Sequence, residues 1–280
     1  MAPLNVFSVG ASRNVGYLSA VRLLERHGAT VTLLLRSPSA FDGDATIQKY
    51  VKSGHARLVK GDATIEADVQ RAWKEAGPVD VVIFSVGGLP PTFHLLKGFI
   101  QSSHNLGTRC MLNVLCTMPQ HSDAPLPKIV VITSSGVTST GYKALPILLK
   151  AVYTILLPYP VKDKLGTERV IAHCAGWTWD PKADGVVAKE VLDEGWTQRK
   201  GLPAPGSLKR VLVIRSAMMT DGKSVGDELD AAKAKGQPYR LGEQDLGGYT
   251  ISRKDIAHFL VDALTTRWNE FENKRVNIAY

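Results

Sequence analysis

Short runs of aliphatic and β-branched residues recur along the first half of the chain. Between them, apolar side chains return every three or four positions. Leu4–Val9 reads as a first strand, and Leu18, Val21 and Leu24 then share one helical face until Gly28 ends the segment. Val31–Leu35 and Ala56–Lys60 are the next two strands, Asp68–Ala76 is helical, and Val79–Ser85 is a fourth strand. A long helical region over Phe99–Met118 leads into the strand Lys128–Thr133. Strands this uniformly apolar, alternating with helices, predict a parallel sheet covered on both faces. The right-handed crossover rule makes that sheet doubly wound, so the expected fold class is α/β.

Regularity fades after Gly166. Residues 174–208 hold two tryptophan-rich patches, Gly176-Trp177-Thr178-Trp179 and Gly195-Trp196, followed by a Gly/Pro stretch. The pattern resumes with a strand at Arg210–Arg215, a helix at Arg253–Thr265 and a last strand at Arg275–Ile278. We find no internal repeat or low-complexity linker. The expectation is one domain over 1–280, with an insertion at about 174–208 before the sixth strand.

At 44% apolar and 21% charged residues, the composition is that of a globular protein and excludes disordered, collagen-like and coiled-coil classes. Three cysteines, Cys110, Cys116 and Cys174, lack metal-ligand spacing, which argues against a disulfide framework or a zinc site; no metal is expected. The densest apolar window, Leu145–Pro160, has eleven apolar residues in sixteen, but Lys150 and three prolines interrupt it, so no membrane span is expected. Without a secretory signal pattern, a cytoplasmic protein is expected. The net charge of +8 is scattered, with no basic run or nucleic-acid motif, and an anionic cofactor explains it more simply than nucleic acid.

The first strand runs straight into Gly10-Ala11-Ser12-Arg13-Asn14-Val15-Gly16 and then a helix. Glycines allow a tight turn and close approach to a pyrophosphate, while a helix N-terminus offers free N–H groups to the anion. This makes the loop a dinucleotide site of Rossmann type. The second strand ends at Arg36-Ser37, where an NAD site carries a carboxylate for the ribose 2′-hydroxyl. A cation there, with Arg13 in the loop, suits the 2′-phosphate of NADP. Gly61-Asp62-Ala63 after the third strand fits the adenine, and Ser85-Val86-Gly87 after the fourth fits the cofactor ribose.

With these pieces the chain resembles the atypical short-chain dehydrogenase/reductases, in their NmrA-like and biliverdin reductase B-like branch. The family's GxxGxxG loop is present with Arg13 in place of the middle glycine. Arg36, Gly61-Asp62, Ser134-Ser135, Lys164 with Glu168, Arg215-Ser216-Ala217, Asp221-Gly222 and Ser252-Arg253-Lys254-Asp255-Ile256-Ala257 match further segments. The resemblance spans nearly the whole chain outside 174–208. Ordinary members of that superfamily carry Tyr-x-x-x-Lys, with the tyrosine as proton donor and the lysine on the nicotinamide ribose. Four positions before Lys164 stands Pro160, so that tyrosine is lost.

The chemistry must then come from other groups. Lys164 is the candidate ribose anchor, its alternative being a surface pair with Glu168. Ser134 and Ser135 end a central strand, where open α/β sheets bind ligands, and Tyr159 and Tyr142 are the candidate phenolic donors. His94, Trp177, Trp179 and Met218 are the candidate substrate contacts, although the tryptophans could equally pin the insertion to the body. The expectation is an NADPH-dependent reductase of a fairly apolar small molecule, monomeric or homodimeric. A non-catalytic NADP-binding redox sensor and a redox-neutral isomerase or lyase stay open beside it.

Overall fold

The computed structural model describes residues 3–87, 92–94, 98–100, 104–119 and 125–280. Its first half alternates β1 (Asn5–Val9), α1 (Asn14–His27), β2 (Thr30–Leu35), α2 (Ala45–Lys52), β3 (Ala56–Lys60), α3 (Glu66–Ala76) and β4 (Val81–Phe84). A hairpin of β5 (Thr92–His94) and β6 (Gly98–Ile100) precedes α4 (Leu106–Cys116) and β7 (Lys128–Ser134). Three helices follow: α5 (Ser139–Ala144), α6 (Ile147–Ala151) and, after a π-helical turn at Val152–Leu156, α7 (Pro158–Ala175). The chain closes with β8 (Val211–Ser216), β9 (Met218–Thr220), α8 (Val225–Ala232), β10 (Arg240–Gly242), β11 (Thr250–Ser252), α9 (Arg253–Thr265), α10 (Trp268–Phe271) and β12 (Lys274–Ala279).

Eight strands form the central sheet in the order β10-β12-β8-β7-β4-β1-β2-β3, and only the β10–β12 pairing is antiparallel. The chain crosses to the other side of β1 between β3 and β4, which opens a crevice at the carboxyl ends of β1 and β4. Side-chain alternation explains the two-sided burial. In β4, Val81 and Ile83 enter one core, and Val82 and Phe84 enter the other. β7 and β8 repeat the split, with Val130, Ile132, Leu212 and Ile214 on the first face and Ile129, Val131, Val211 and Val213 on the second. Helices α1 and α9 pack together over the first face, and α3, α4 and α7 cover the second. Each fully buried large side chain of this kind contributes about 1.5–3 kcal/mol.

Two expectations need correction. The helix expected over Phe99–Met118 is shorter: Gly98–Ile100 is a strand paired with Thr92–His94, and the helix begins at Leu106. The apolar Gly98-Phe99-Ile100 run is too short for periodicity to separate strand from helix, and pairing decides. The irregular stretch also starts later than residue 174, because α7 runs through Ala175 and ends on the left-handed Gly176. From there to β8 the only helical element among the described residues is a 3-10 turn at Trp196–Gln198. No helix among the described residues is long and apolar enough to cross a membrane.

Candidate functional site

The crevice begins at the turn after β1. Gly10 has φ +91°, and a Cβ on it would lie 2.6 Å from the backbone of Ser85 and Val86. A Cβ on Gly16 would lie 2.3 Å from Ser85 Oγ. The two glycines thus let the loop after β1 and the loop after β4 close to backbone contact, with Ser85 Oγ donating to the carbonyls of Val9 and Gly10 at 3.3 and 3.2 Å. Asn14 opens α1 at φ +56°, a conformation asparagine tolerates better than most residues. Arg13 stands in the cap position and, among the described residues, no side chain caps this helix. The first-turn amides of α1 therefore face the crevice without an internal partner. Ser12, Arg13 and Asn14 are exposed, whereas Val15 and Gly16 are buried beneath them.

At the ends of β2 and β3 an open groove of about 550 Å³ is lined by Arg36, Lys60, Gly61, Asp62, Asp68, Arg71 and Glu75. Arg36 and Ser37 are exposed at its mouth, and Ser37 Oγ lies 2.9 Å from Ser39 Oγ. Asp62 Oδ1 accepts from both the amide and the hydroxyl of Thr64 at 2.8 Å, and Asp68 accepts from the Asp62 amide. Asn113 donates to the Ala63 carbonyl at 2.8 Å while its own carbonyl accepts from Arg199. Arg199, which also pairs with Glu66 at 2.6 Å, lies in the irregular stretch before β8. That stretch therefore braces the Asp62-Ala63 turn from behind, a link the sequence pattern did not signal.

The far side of the crevice is built on β7 and α7. Lys164 lies half-buried with its stem over Gly87, where a Cβ would sit 3.8 Å from Lys164 Cε. Burial lowers its ammonium to about 8, against the opposing pull of Glu168 and Asp163. Glu168 is not a surface partner. It is fully buried, accepts from Thr133 Oγ1 at 2.7 Å, and is forked by Arg215 at 2.5–3.1 Å. Arg215 and Thr133 hold its carboxyl below the ordinary range despite desolvation. The ion pair thus forms a fixed charged floor one helical turn beyond Lys164.

Above that floor, Ser134 and Ser135 both donate to the Ser216 carbonyl, at 3.3 and 3.4 Å. Met218, two residues past β8, is exposed at this same edge of the sheet. The phenol at Ser134 is neither Tyr159 nor Tyr142. Tyr159 stacks on His104 at 4.7 Å, and Tyr142 shares a 2.6 Å hydrogen bond with Thr154. Tyr153, from the π-helical turn, is the one whose hydroxyl lies 2.9 Å from Ser134 Oγ. It is buried, and desolvation raises its phenol while the Ser134 hydrogen bond opposes the rise. The apolar richness of Leu145–Pro160 was a signal for this segment, but not for this residue.

Trp177 sits elsewhere. Trp177 donates to Asn273 Oδ1 at 2.8 Å, beside the amino-terminal start of β12 and so at the sheet end opposite the crevice. Trp179 donates to the Gly185 carbonyl at 2.9 Å, and Arg275 lies over both rings. Trp177 is thus held away from the substrate position expected for it, whereas the Trp179 hydrogen bond closes within the irregular stretch, whose residues 183–184 accept from the Ser139 and Thr140 amides. The His94 side chain lies outside the described residues. One trio among them, Asp227, Asp230 and His258, has metal-ligand spacing. Asp227 there is already paired with Arg22 and Arg26, so its charge is compensated.

Comparison with known proteins bears on the same residues. The model of the NAD(P)H-binding family matches residues 10–179, which is more than half of the chain and includes the glycine loop, Arg36 and Lys164. The chain belongs to the NAD(P)H-binding family. A similar curated protein is the reductase pytE of Aspergillus terreus, 23% identical over 272 residues that cover 90% of this chain and 89% of that one. Among solved structures, the anaerobilin reductase ChuY of Escherichia coli O157:H7 superposes with a TM-score of 0.58 at 16% identity, over 98% of this chain and 96% of that one. A short-chain dehydrogenase of Burkholderia cenocepacia J2315 in complex with NADP gives a TM-score of 0.58 at 13% identity, over 98% and 95%. The fold of this family member is thus that of the short-chain dehydrogenase/reductases.

Proposed function

We propose that this NAD(P)H-binding protein is an NADPH-dependent reductase of a fairly apolar small or medium organic acceptor: a C=O, C=N, activated C=C or flavin-like ring. The residues fit the cofactor. Gly10 and Gly16 keep clear a cradle that a Cβ would fill, and the amides of Ser12 to Gly16 would take the pyrophosphate. Arg36 and Arg13 would take the 2′-phosphate, with Ser37 beside them. Asp62 and Ala63 would meet the adenine, while Ser85, Val86, Gly87 and Lys164 would hold the nicotinamide ribose. When bound, the cofactor supplies a hydride, and the protein supplies orientation and a proton path.

The observation that carries the reading is Lys164. Beside the loop after β4 stands a lysine whose ammonium burial lowers to about 8, while the buried carboxylate of Glu168 is taken up by Arg215. Such perturbed groups cluster at functional sites. Ser134, Ser135 and Met218 share its edge of the sheet, and exposed Ile147, Leu148 and Ile155 supply the nearby apolar surface that suits a lipophilic acceptor. Related proteins named as reductases support the same reading.

The test is to incubate purified protein with NADPH and a panel of carbonyl, enone, imine, quinone and flavin acceptors, following loss of reduced-nicotinamide absorbance. Turnover with apolar members of the panel is the expected result. Tight NADP binding with no turnover by any member would instead favour the redox-sensor reading, which Pro160 in the tyrosine position supports.

A further inference from the structure

We propose that Tyr153 is the acid that protonates the reduced acceptor, and that the π-helical turn over Val152–Leu156 brings it to the place Pro160 leaves empty. This inference builds on the reductase reading and assigns a residue it lacks. Helix α7 starts at Pro158, so Pro160 lies in its first turn, where a missing N–H costs nothing. One turn before Lys164 there is consequently no hydroxyl. The π-turn directly before it is closed by the Leu157 amide bonding the Val152 carbonyl at 3.2 Å. π-turns are rare, and they are frequent at functional sites.

Three features fit the phenol to this position. Tyr153 is the buried member of its turn, whereas Thr154 and Ile155 beside it are exposed. Its ring lies over Gly136, where a Cβ would come within 2.5 Å of Tyr153 Cε1, so only glycine leaves room for it. Its hydroxyl reaches Ser134 Oγ at 2.9 Å. Ser134 Oγ also lies 3.3 Å from the Ser216 carbonyl, so the serine can donate there while accepting from the phenol. In that arrangement the proton stands on Tyr153 Oη, held by a weak neutral acceptor that a substrate heteroatom can replace.

Lys164 completes the arrangement. Lys164 Cε lies beside Gly87 in the loop that leaves β4, the phenol lies at Ser134 at the end of β7, and β4 and β7 are neighbours in the sheet. The phenol and the ammonium thus stand over adjacent strand ends. When bound, the reduced nicotinamide would supply the C=X carbon of the acceptor with a hydride, two electrons and one hydrogen. The π pair moves onto X, and X takes the proton from Tyr153 Oη. The phenolate is stabilised by the Ser134 hydroxyl turning toward it and recovers its proton from solvent. Tyr153 is then a catalytic residue and Ser134 a positioning residue.

The test uses Tyr153→Phe, Ser134→Ala and, as a control, Tyr159→Phe. Tyr153→Phe should lower kcat by roughly 10²–10⁴-fold, the range for general acid catalysis, with NADPH affinity and substrate KM unchanged. Tyr159→Phe should leave kcat in place. A second measurement needs no turnover: ultraviolet titration of the phenols, with Tyr153 assigned by difference against Tyr153→Phe. Lys164 loses its proton first and does not mask this transition. NADP⁺ should move the Tyr153 transition to lower pH, because its positive ring stabilises the phenolate, and Ser134→Ala should move it to higher pH. Turnover that survives Tyr153→Phe, or a Tyr153 transition that ignores NADP⁺, overturns the inference. A wild-type protein that shows the NADP⁺ shift but reduces no acceptor overturns the reductase reading, and the proton-donor role with it.

Discussion

Replacing Glu168 with Gln separates the charged floor of the crevice from the groups it supports. Glu168 is fully buried, Arg215 nearly so, and the carboxylate accepts from Thr133 and from two guanidinium nitrogens at 2.5–3.1 Å. The amide keeps the shape but leaves the Arg215 charge uncompensated in a desolvated site. Breaking a buried pair from one side costs about 3–5 kcal/mol. For a chain of this length that corresponds to a fall in Tm of about 6–10 °C. Urea unfolding followed by far-ultraviolet circular dichroism measures it directly. Because folding lowers the Glu168 carboxyl, its stabilisation is present above the ordinary glutamate range and is lost as pH falls below it. The gap between wild type and variant should therefore be full at neutral pH and close in acid. The same carboxylate raises the Lys164 ammonium, so the variant should also shift the Lys164 transition to lower pH than in the wild type. A loss under about 1 kcal/mol, typical of a solvated pair, would refute the argument.

Lys164→Met should cut turnover with little change in substrate KM, yet raise Tm, since the fold holds the ammonium at about 8 rather than 10.5. That gain should be complete below pH 8 and shrink toward 10.5; unchanged turnover would return Lys164 to a structural role. Arg36→Asp should weaken NADPH by about 1.5–3 kcal/mol with little effect on NADH in a fluorescence titration, and equal losses would remove Arg36 from the 2′-phosphate. Arg199→Ala frees Asn113 and, through it, the Ala63 carbonyl; a rise in cofactor Kd worth about 1 kcal/mol is expected, and an unchanged Kd would uncouple the irregular stretch from the cofactor. Ile155→Ser should raise KM most for the most apolar acceptors. A shift on a sizing column with substrate preference intact would make that segment an interface instead.

What could be read in the sequence was what is local or periodic. The strands of the first half alternate between two cores, and that alternation leaves near-continuous apolar runs such as Val81–Phe84. The glycine loop is contiguous, so its turn and its helix start lie in one short segment. Tyr153 had no such mark, because its place at Ser134 depends on a π-turn that no hydrophobic period announces. Tyr142 and Tyr159, nearer the expected spacing, find other partners in Thr154 and His104. Glu168 and Arg215 each stood out as motif residues, but their pairing is set by α7 packing across β7 and β8 rather than by spacing. Trp177 could be read as a substrate contact or as an anchor of the insertion, and only the position of Asn273 places it against the body. The edge strand β10 is three residues long and carries no pattern to detect.

Desolvation lowers the Lys164 ammonium, so its amine should react more readily than that of an ordinary lysine. An ordinary lysine at pH 7.4 is about 0.1% free amine, whereas one with its ammonium at about 8 is roughly 20% free amine. Amine-directed acylating reagents and aldehydes should therefore label this position ahead of the exposed lysines, and a bound NADP should protect it.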